Sequence, residues 1–404
     1  MNYKKFVLGL LLGVYLSAQG FFNPFGLIDS RLLKALFSFF SVIAFLYVFR
    51  RNGIGNYPKW PYRFLMIGII VSSIMATVFH AQSYVVSLVA ILPYFFGYLY
   101  FYIIEKLQPS IESIEKVFRI LTLCSLLMYI ANLASYPNMI FGETKDEYDI
   151  SRGFVRIGVP MIEIVVTYFF YSINQWIVKK QRKSIYWILL TAAMIFMSLT
   201  RQVIALSAIL GLLFVMQKAS WFKKVLVVVL CVLCVYVILP QIPMAKTMME
   251  LSEEQVKDNR NDEDIRVTAW KFYTTEFQTN QLSPIFGNGV PSYGKSKWGD
   301  YVERTTALHE DGGNACFTVD VGWAGFFWYF GGIATLGLLL LLIKGIRISK
   351  YEDKQYLSYS LAFIALTAIA SGPILFCSHI CNLSIILYMA YASKEDCSAH
   401  PQLQ

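Results

Sequence analysis

Runs of about twenty apolar residues, each long enough to cross a hydrocarbon core roughly 30 Å thick, recur from one end of this chain to the other. Nothing else in the sequence restricts the fold as strongly. With 56% hydrophobic and only 15% charged residues, and a mean hydropathy of +0.52, 404 residues cannot bury their apolar surface in a soluble core. The expectation is an all-α polytopic membrane protein with about twelve spans. They fall near 5–22, 32–49, 63–80, 83–104, 117–135, 159–178, 184–200, 202–217, 222–240, 316–343, 355–371 and 373–392. Only Ser371-Gly372-Pro373 separates the last two, so one broken helix is the alternative there. The spans divide the chain into a membrane part, 1–240, a large loop, 241–315, a second membrane part, 316–392, and a short tail, 393–404.

Basic residues set the orientation. With the N-terminus inside, the inner segments hold 21 of the 35 Lys and Arg, and the outer segments hold only six outside the long loop. Both termini are then cytoplasmic, and the loops 136–158 and 241–315 lie outside. The opening Met1-Asn2-Tyr3-Lys4-Lys5 resembles a signal peptide, but no small-residue cleavage site follows, so the first helix is retained. The net charge of +9 reflects this asymmetry and implies no nucleic-acid partner. Cys231 and Cys234 sit in VLVVVLCVLCVYVIL, where two small side chains in an apolar helix explain them better than a redox or metal motif does.

One residue interrupts the pattern. From Ile185 to Met216 the only charge is Arg201, between two spans and at the outer end of their hairpin. A guanidinium at mid-bilayer costs about 2.5–3.5 kcal/mol on insertion scales. One that persists without basic neighbours pairs with an anion, serves as an interfacial anchor or joins another helix.

The outer loops supply the remaining candidates. Arg152 and Arg156 stand four apart and share a face if 136–158 enters the next helix, although Glu143, Asp146, Glu147 and Asp149 also neutralise them there. In 241–315 acids outnumber bases. Asn261-Asp262-Glu263-Asp264 is a helix start, and IRVTAWKFYTTEF reads as a short amphipathic helix along the membrane surface. The acidic spacing matches no calcium loop. His309 is the one histidine in an outer loop of any length. Glu310 and Asp311 flank it, and Gly312-Gly313 permits close approach. Asp320 and Glu163 are acids near outer helix ends.

Together these residues resemble the O-antigen polymerase and O-antigen ligase superfamily. Three features carry the likeness. They are the hairpin arginine in SLTRQ (Arg201), the Arg-x-x-x-Trp of Arg266 and Trp270 with Pro-x-x-Gly-x-Gly after it at Pro284, Gly287 and Gly289, and His309 with Asn314, Asp320, Gly322 and Gly325. The motifs are confined to about 195–335. HEDGGN departs from the more direct His-Asn or His-Ser form. The resemblance implies a GT-C-like fold in the bacterial inner membrane and metal-independent glycosyl transfer on the periplasmic face without cofactor. Donor and acceptor would be oligosaccharide repeats on undecaprenyl diphosphate, and a chain-length regulator and flippase of the same pathway would be partners. A ligase would instead use lipid A-core as acceptor.

The residues fit that chemistry in their own right. Departure of a lipid diphosphate builds negative charge, which Arg201 and Arg266, with Arg152 and Arg156 in second rank, would hold by bidentate contacts. His309 would take the acceptor's proton, with Trp270, Asp311, Asn314, Asp320 and Glu163 in support. The competing class is a transporter or flippase of lipid-linked sugars. Carriers, however, show internal repeats and midplane polar sites, and the sequence has neither.

Overall fold

Long apolar segments bounded by polar breaks become helices here, and no strand occurs among the described residues. The computed structural model describes residues 3–53, 55, 57–142, 157–218, 265–308, 316–348 and 352–399, with scattered positions between 220 and 246. The first eight helices are α1 (Tyr3–Ala18), α2 (Ser30–Val48), α3 (Lys59–His80), α4 (Tyr84–Leu107), α5 (Ile111–Ser135), α6 (Ile162–Ile177), α7 (Ser184–Met197) and α8 (Arg201–Lys218). After them come α9 (Ile265–Lys271), α10 (Lys297–Leu308), α11 (Gly322–Ile348), α12 (Gln355–Thr367) and α13 (Cys377–Ala399). Each expected span except 222–240 holds one of these helices; that one, with Cys231 and Cys234, lies outside the described residues.

Among the described residues α2, α3, α4, α5 and α11 are long and apolar enough to cross a membrane. Their outward faces carry Leu32, Phe39, Leu46, Ile67, Val78 and Leu127, all more than half exposed. Water would not tolerate such a surface and lipid does, so the protein is membrane-embedded.

The helices alternate in direction. At one end Lys354 pairs with Glu115 (2.8 Å), Tyr356 donates to the same carboxylate (2.7 Å) and Tyr388 donates to Pro109 O (2.7 Å). The start of α12 and the middle of α13 therefore meet the same 109–115 stretch. Residues 355–399 form two antiparallel helices and not one kinked helix. The opposite end, here the long-loop end, carries the connectors that include 136–158 and 241–315.

Small residues set the closest helix approaches. A Cβ at Gly68 would lie 2.7 Å from Ala334 Cβ, and one at Gly337 would lie 2.6 Å from Leu65 N and Pro61 O, so α3 and α11 pack backbone to backbone. α4 packs on α13 and α2, and α12 on α6, α8 and α11.

α11 is broken at Gly331, whose φ of 75° lies in the left-handed region. The break leaves carbonyls without helical partners, and the large loop supplies them: Asn288 N donates to Trp328 O (2.9 Å) and Gly289 N to Tyr329 O (3.0 Å). Gly287 and Gly289 also have positive φ, 83° and 76°. The Pro284-x-x-Gly287-x-Gly289 motif is thus a plug inserted between α3 and the interrupted α11.

The IRVTAWKFYTTEF segment differs from the expected surface helix. α9 ends at Lys271 and a π turn, Phe272–Glu276, follows. The wider turn rotates Tyr273 and Phe277 onto the side of Ala269 and Phe272, and all four are buried. Phe277 stacks on Trp328 at 5.2 Å, Trp328 Nε1 donates to Phe277 O (2.7 Å) and Tyr273 donates to Cys316 O (2.6 Å). The aromatic face is committed to protein, not to the bilayer surface.

Candidate active site

Four of the sequence-predicted residues come to the long-loop end around one piece of backbone, the connector 368–376 between α12 and α13. Arg201 is the first residue of α8, after a tight turn in which Leu199 takes φ 52°. It is half-buried, and its neighbour Gln202 donates from Nε2 to Thr367 O (2.9 Å). Trp270 Nε1 donates to Ile369 O (2.8 Å), which fastens α9 to the same connector. The connector also satisfies the open N-terminus of α11, where Gly322 N donates to Ser371 O (3.1 Å) and Trp323 N to Ala368 O (2.9 Å).

Asp320 ends the 3₁₀ turn Thr318–Asp320 just before α11. Burial pushes its carboxyl above the usual carboxylate range, and the Arg266 guanidinium pulls it back down. Arg266 is exposed at the second position of α9 and close enough to Asp320 to act on its charge. Arg201, Arg266, Trp270 and Asp320 thus belong to segments anchored on, or beside, one connector. A cationic site beside a half-buried carboxyl, on segments whose side chains donate to fixed backbone carbonyls, can bind and orient an anionic group.

Glu163 belongs elsewhere. It is the second residue of α6, where a negative charge suits the helix N-terminus, and its carboxylate hydrogen-bonds His379 Nδ1. Asn382 Nδ2 donates to its other oxygen (3.3 Å), Tyr15 donates to Asn382 Oδ1 (2.9 Å) and Gln19 Nε2 to Ser378 O (3.1 Å). The Glu163–His379 pair, with Glu163 buried and His379 half-buried, forms a polar node joining α1, α6 and α13. In the sequence His379 is no more than a residue within the last helix. An intramembrane acid and a histidine are both visible there, but not their pairing across 216 positions. His80 has a packing role: its ring lies 3.5 Å from Trp298 and nearly parallel to it, and Nε2 meets Thr279 Oγ1 at 3.2 Å.

Arg152, Arg156, His309, Asp311 and Asn314, with the acidic stretch 250–264, lie outside the described residues. α10 ends at Leu308, directly before His309, and is held by Trp298, which is stacked between His80 and the Phe277–Trp328 pair. Among the described residues no group of three or more His, Cys, Asp or Glu comes together as a metal site would require. Compared with known protein families and with curated proteins, the sequence matches none.

Proposed function

We propose that this protein is a glycosyltransferase of the bacterial inner membrane that polymerises undecaprenyl-diphosphate-linked oligosaccharide repeats. The long-loop end faces the periplasm and the bundle is GT-C-like, with about twelve passes. One observation supports the reading above the others. The two arginines expected to hold a diphosphate, Arg201 and Arg266, sit on segments tied to one stretch of backbone, at Thr367 O and Ile369 O, and Arg266 lies close to an acid, Asp320.

In this reading the donor's diphosphate meets the two guanidinium groups. The bond between the anomeric carbon and the diphosphate oxygen breaks, and the leaving lipid diphosphate keeps the electron pair. The acceptor hydroxyl oxygen forms the new glycosidic bond and gives its proton to His309. Fixed cations matched to the developing charge accelerate such a step because they need no reorganisation when it occurs.

Deleting the gene and examining the cell's surface glycan tests this directly. A polymerase deletion leaves glycan with one repeat on its acceptor and no longer chains. A ligase deletion leaves long chains still attached to the polyprenyl lipid. An unchanged ladder would remove both forms of the reading.

A further inference from the structure

A large opening lies apart from the Arg201–Arg266 cluster. A cavity of about 1030 Å³ sits between α2 and α4 under the loop 290–295, larger than most small-ligand pockets. α2 and α4 touch nearer the other end, where Phe37 meets Phe96 at 6.3 Å and Phe45 meets Tyr102 at 6.1 Å. The cavity opens on the long-loop side of those contacts. Val85 and Val89 line it and are 67% and 56% exposed, so its α4 wall is also part of the lipid-facing surface.

Its chemistry is divided. The lower wall is aliphatic, with Val86, Ala90, Leu92 and Leu375. The rim carries three cations: Arg31 and Lys34, one turn apart on α2, and Lys295 from the roof loop. No acid lines the cavity, and none of the three cations makes an ion pair among the described residues. Three cations above an apolar slot match an amphiphile with an anionic head and a hydrocarbon tail.

The inner end of the cavity is hydroxylated. Tyr293 and Tyr329 line it, and the Tyr329 hydroxyl meets that of Thr318 at 3.0 Å, so the inner wall of the cavity is joined to the turn that ends at Asp320.

We propose that this cavity binds a phosphate-headed lipid that enters sideways between α2 and α4. Its phosphate lies against Arg31, Lys34 and Lys295, and its chain runs along the α4 wall. The assignment does not depend on the transferase reading.

The test uses full-length protein in phosphatidylcholine nanodiscs and a polyisoprenyl diphosphate with a diazirine near its head, mapping photolabelled peptides by mass spectrometry. Label is expected on 30–38 and 85–94, with protection by excess unlabelled polyisoprenyl diphosphate but not by inorganic pyrophosphate. Removing both α2 cations (R31A with K34A) should weaken labelling by about tenfold for each lost charge-assisted contact. Ala35→Trp, which fills the slot and keeps all three cations, should also abolish it and decides the matter if the double variant does not fold. Arg201→Ala should leave this labelling intact, which separates the site from the proposed reaction centre. Full protection by pyrophosphate would make it a free-anion site. Equal labelling in the double variant, or label spread evenly over the lipid-facing surface, would make it a lipid-filled crevice without phosphate recognition. Either result overturns the proposal.

Discussion

Replacing Arg201 with alanine is expected to slow glycan chain growth by about 10²–10³-fold, the usual loss when one preorganised charge contact to a transition state is removed. Helix stability does not favour an arginine at this position. It opens α8, where the macrodipole disfavours a cation by about 0.3–1 kcal/mol. Arg201→Lys should recover part of the activity, because an ammonium restores the charge but not the two-pronged geometry. The result to measure is turnover of a lipid-diphosphate donor, with melting temperature as a control for folding. Arg266→Ala should lose activity to a similar degree and also raise the pKa of Asp320, because the neighbouring positive charge is gone. Undiminished turnover in both variants would remove the diphosphate clamp.

The second large effect belongs to the plug in α11. A methyl group on Gly287 would strike the Tyr329 carbonyl and lie 2.7 Å from the Tyr329 and Phe330 carbonyl carbons, at a residue with φ 83°. These atoms are backbone in a bundle interior and have nowhere to move. Backbone strain of ~1–3 kcal/mol and overpacking of ~1–3 kcal/mol together predict a loss of about 2–6 kcal/mol for Gly287→Ala. Gly294 is the control. It has φ 64°, but a methyl group there would have nothing within 4 Å, so Gly294→Ala should lose only the strain, about 1 kcal/mol. Thermal unfolding of the two variants in detergent measures the difference. Equal losses would mean that the insertion of 283–290 against α11 is not what the glycine serves.

These two predictions rest on unequal kinds of sequence information. The apolar helices were legible because a bilayer demands long hydrophobic runs, five of which are long and apolar enough to cross it among the described residues, and Arg201 was legible because a lone charge in an apolar run is expensive. The glycines at 287 and 289 were visible only as a motif. Their physical reason is the break at Gly331, more than forty residues away in sequence, and no local pattern links a loop glycine to an interrupted helix. A still longer separation hid the partner of Glu163, since His379 looks like any polar residue in a span until α6 and α13 are packed together. The amphipathic pattern around Trp270 misled because a π turn changes the helical period within five residues, which merges two faces that an ideal helix keeps apart. Arg31 and Lys34 are ordinary basic residues at the start of an apolar helix in the sequence. Their spacing on one face of α2 was the available signal, and it gained meaning once Lys295 was found above the same cavity.

The connector 368–376 links the two halves of the account. It caps α11, anchors Trp270, follows directly on the Thr367 carbonyl that holds Gln202, and leads into α13 just ahead of His379. Side-chain hydrogen bonds from Gln202 and Trp270 hold the cationic corner to the end of α12 and the connector after it.

The most direct measurement is reaction of the purified full-length protein with a synthetic oligosaccharide repeat on polyprenyl diphosphate, followed by chromatography of the lipid-linked products. Successively longer glycans, with one polyprenyl diphosphate released for each added repeat, are the predicted result. Recovery of the substrate unchanged under conditions where the protein is folded, or its movement across the bilayer without any new glycosidic bond, would contradict it.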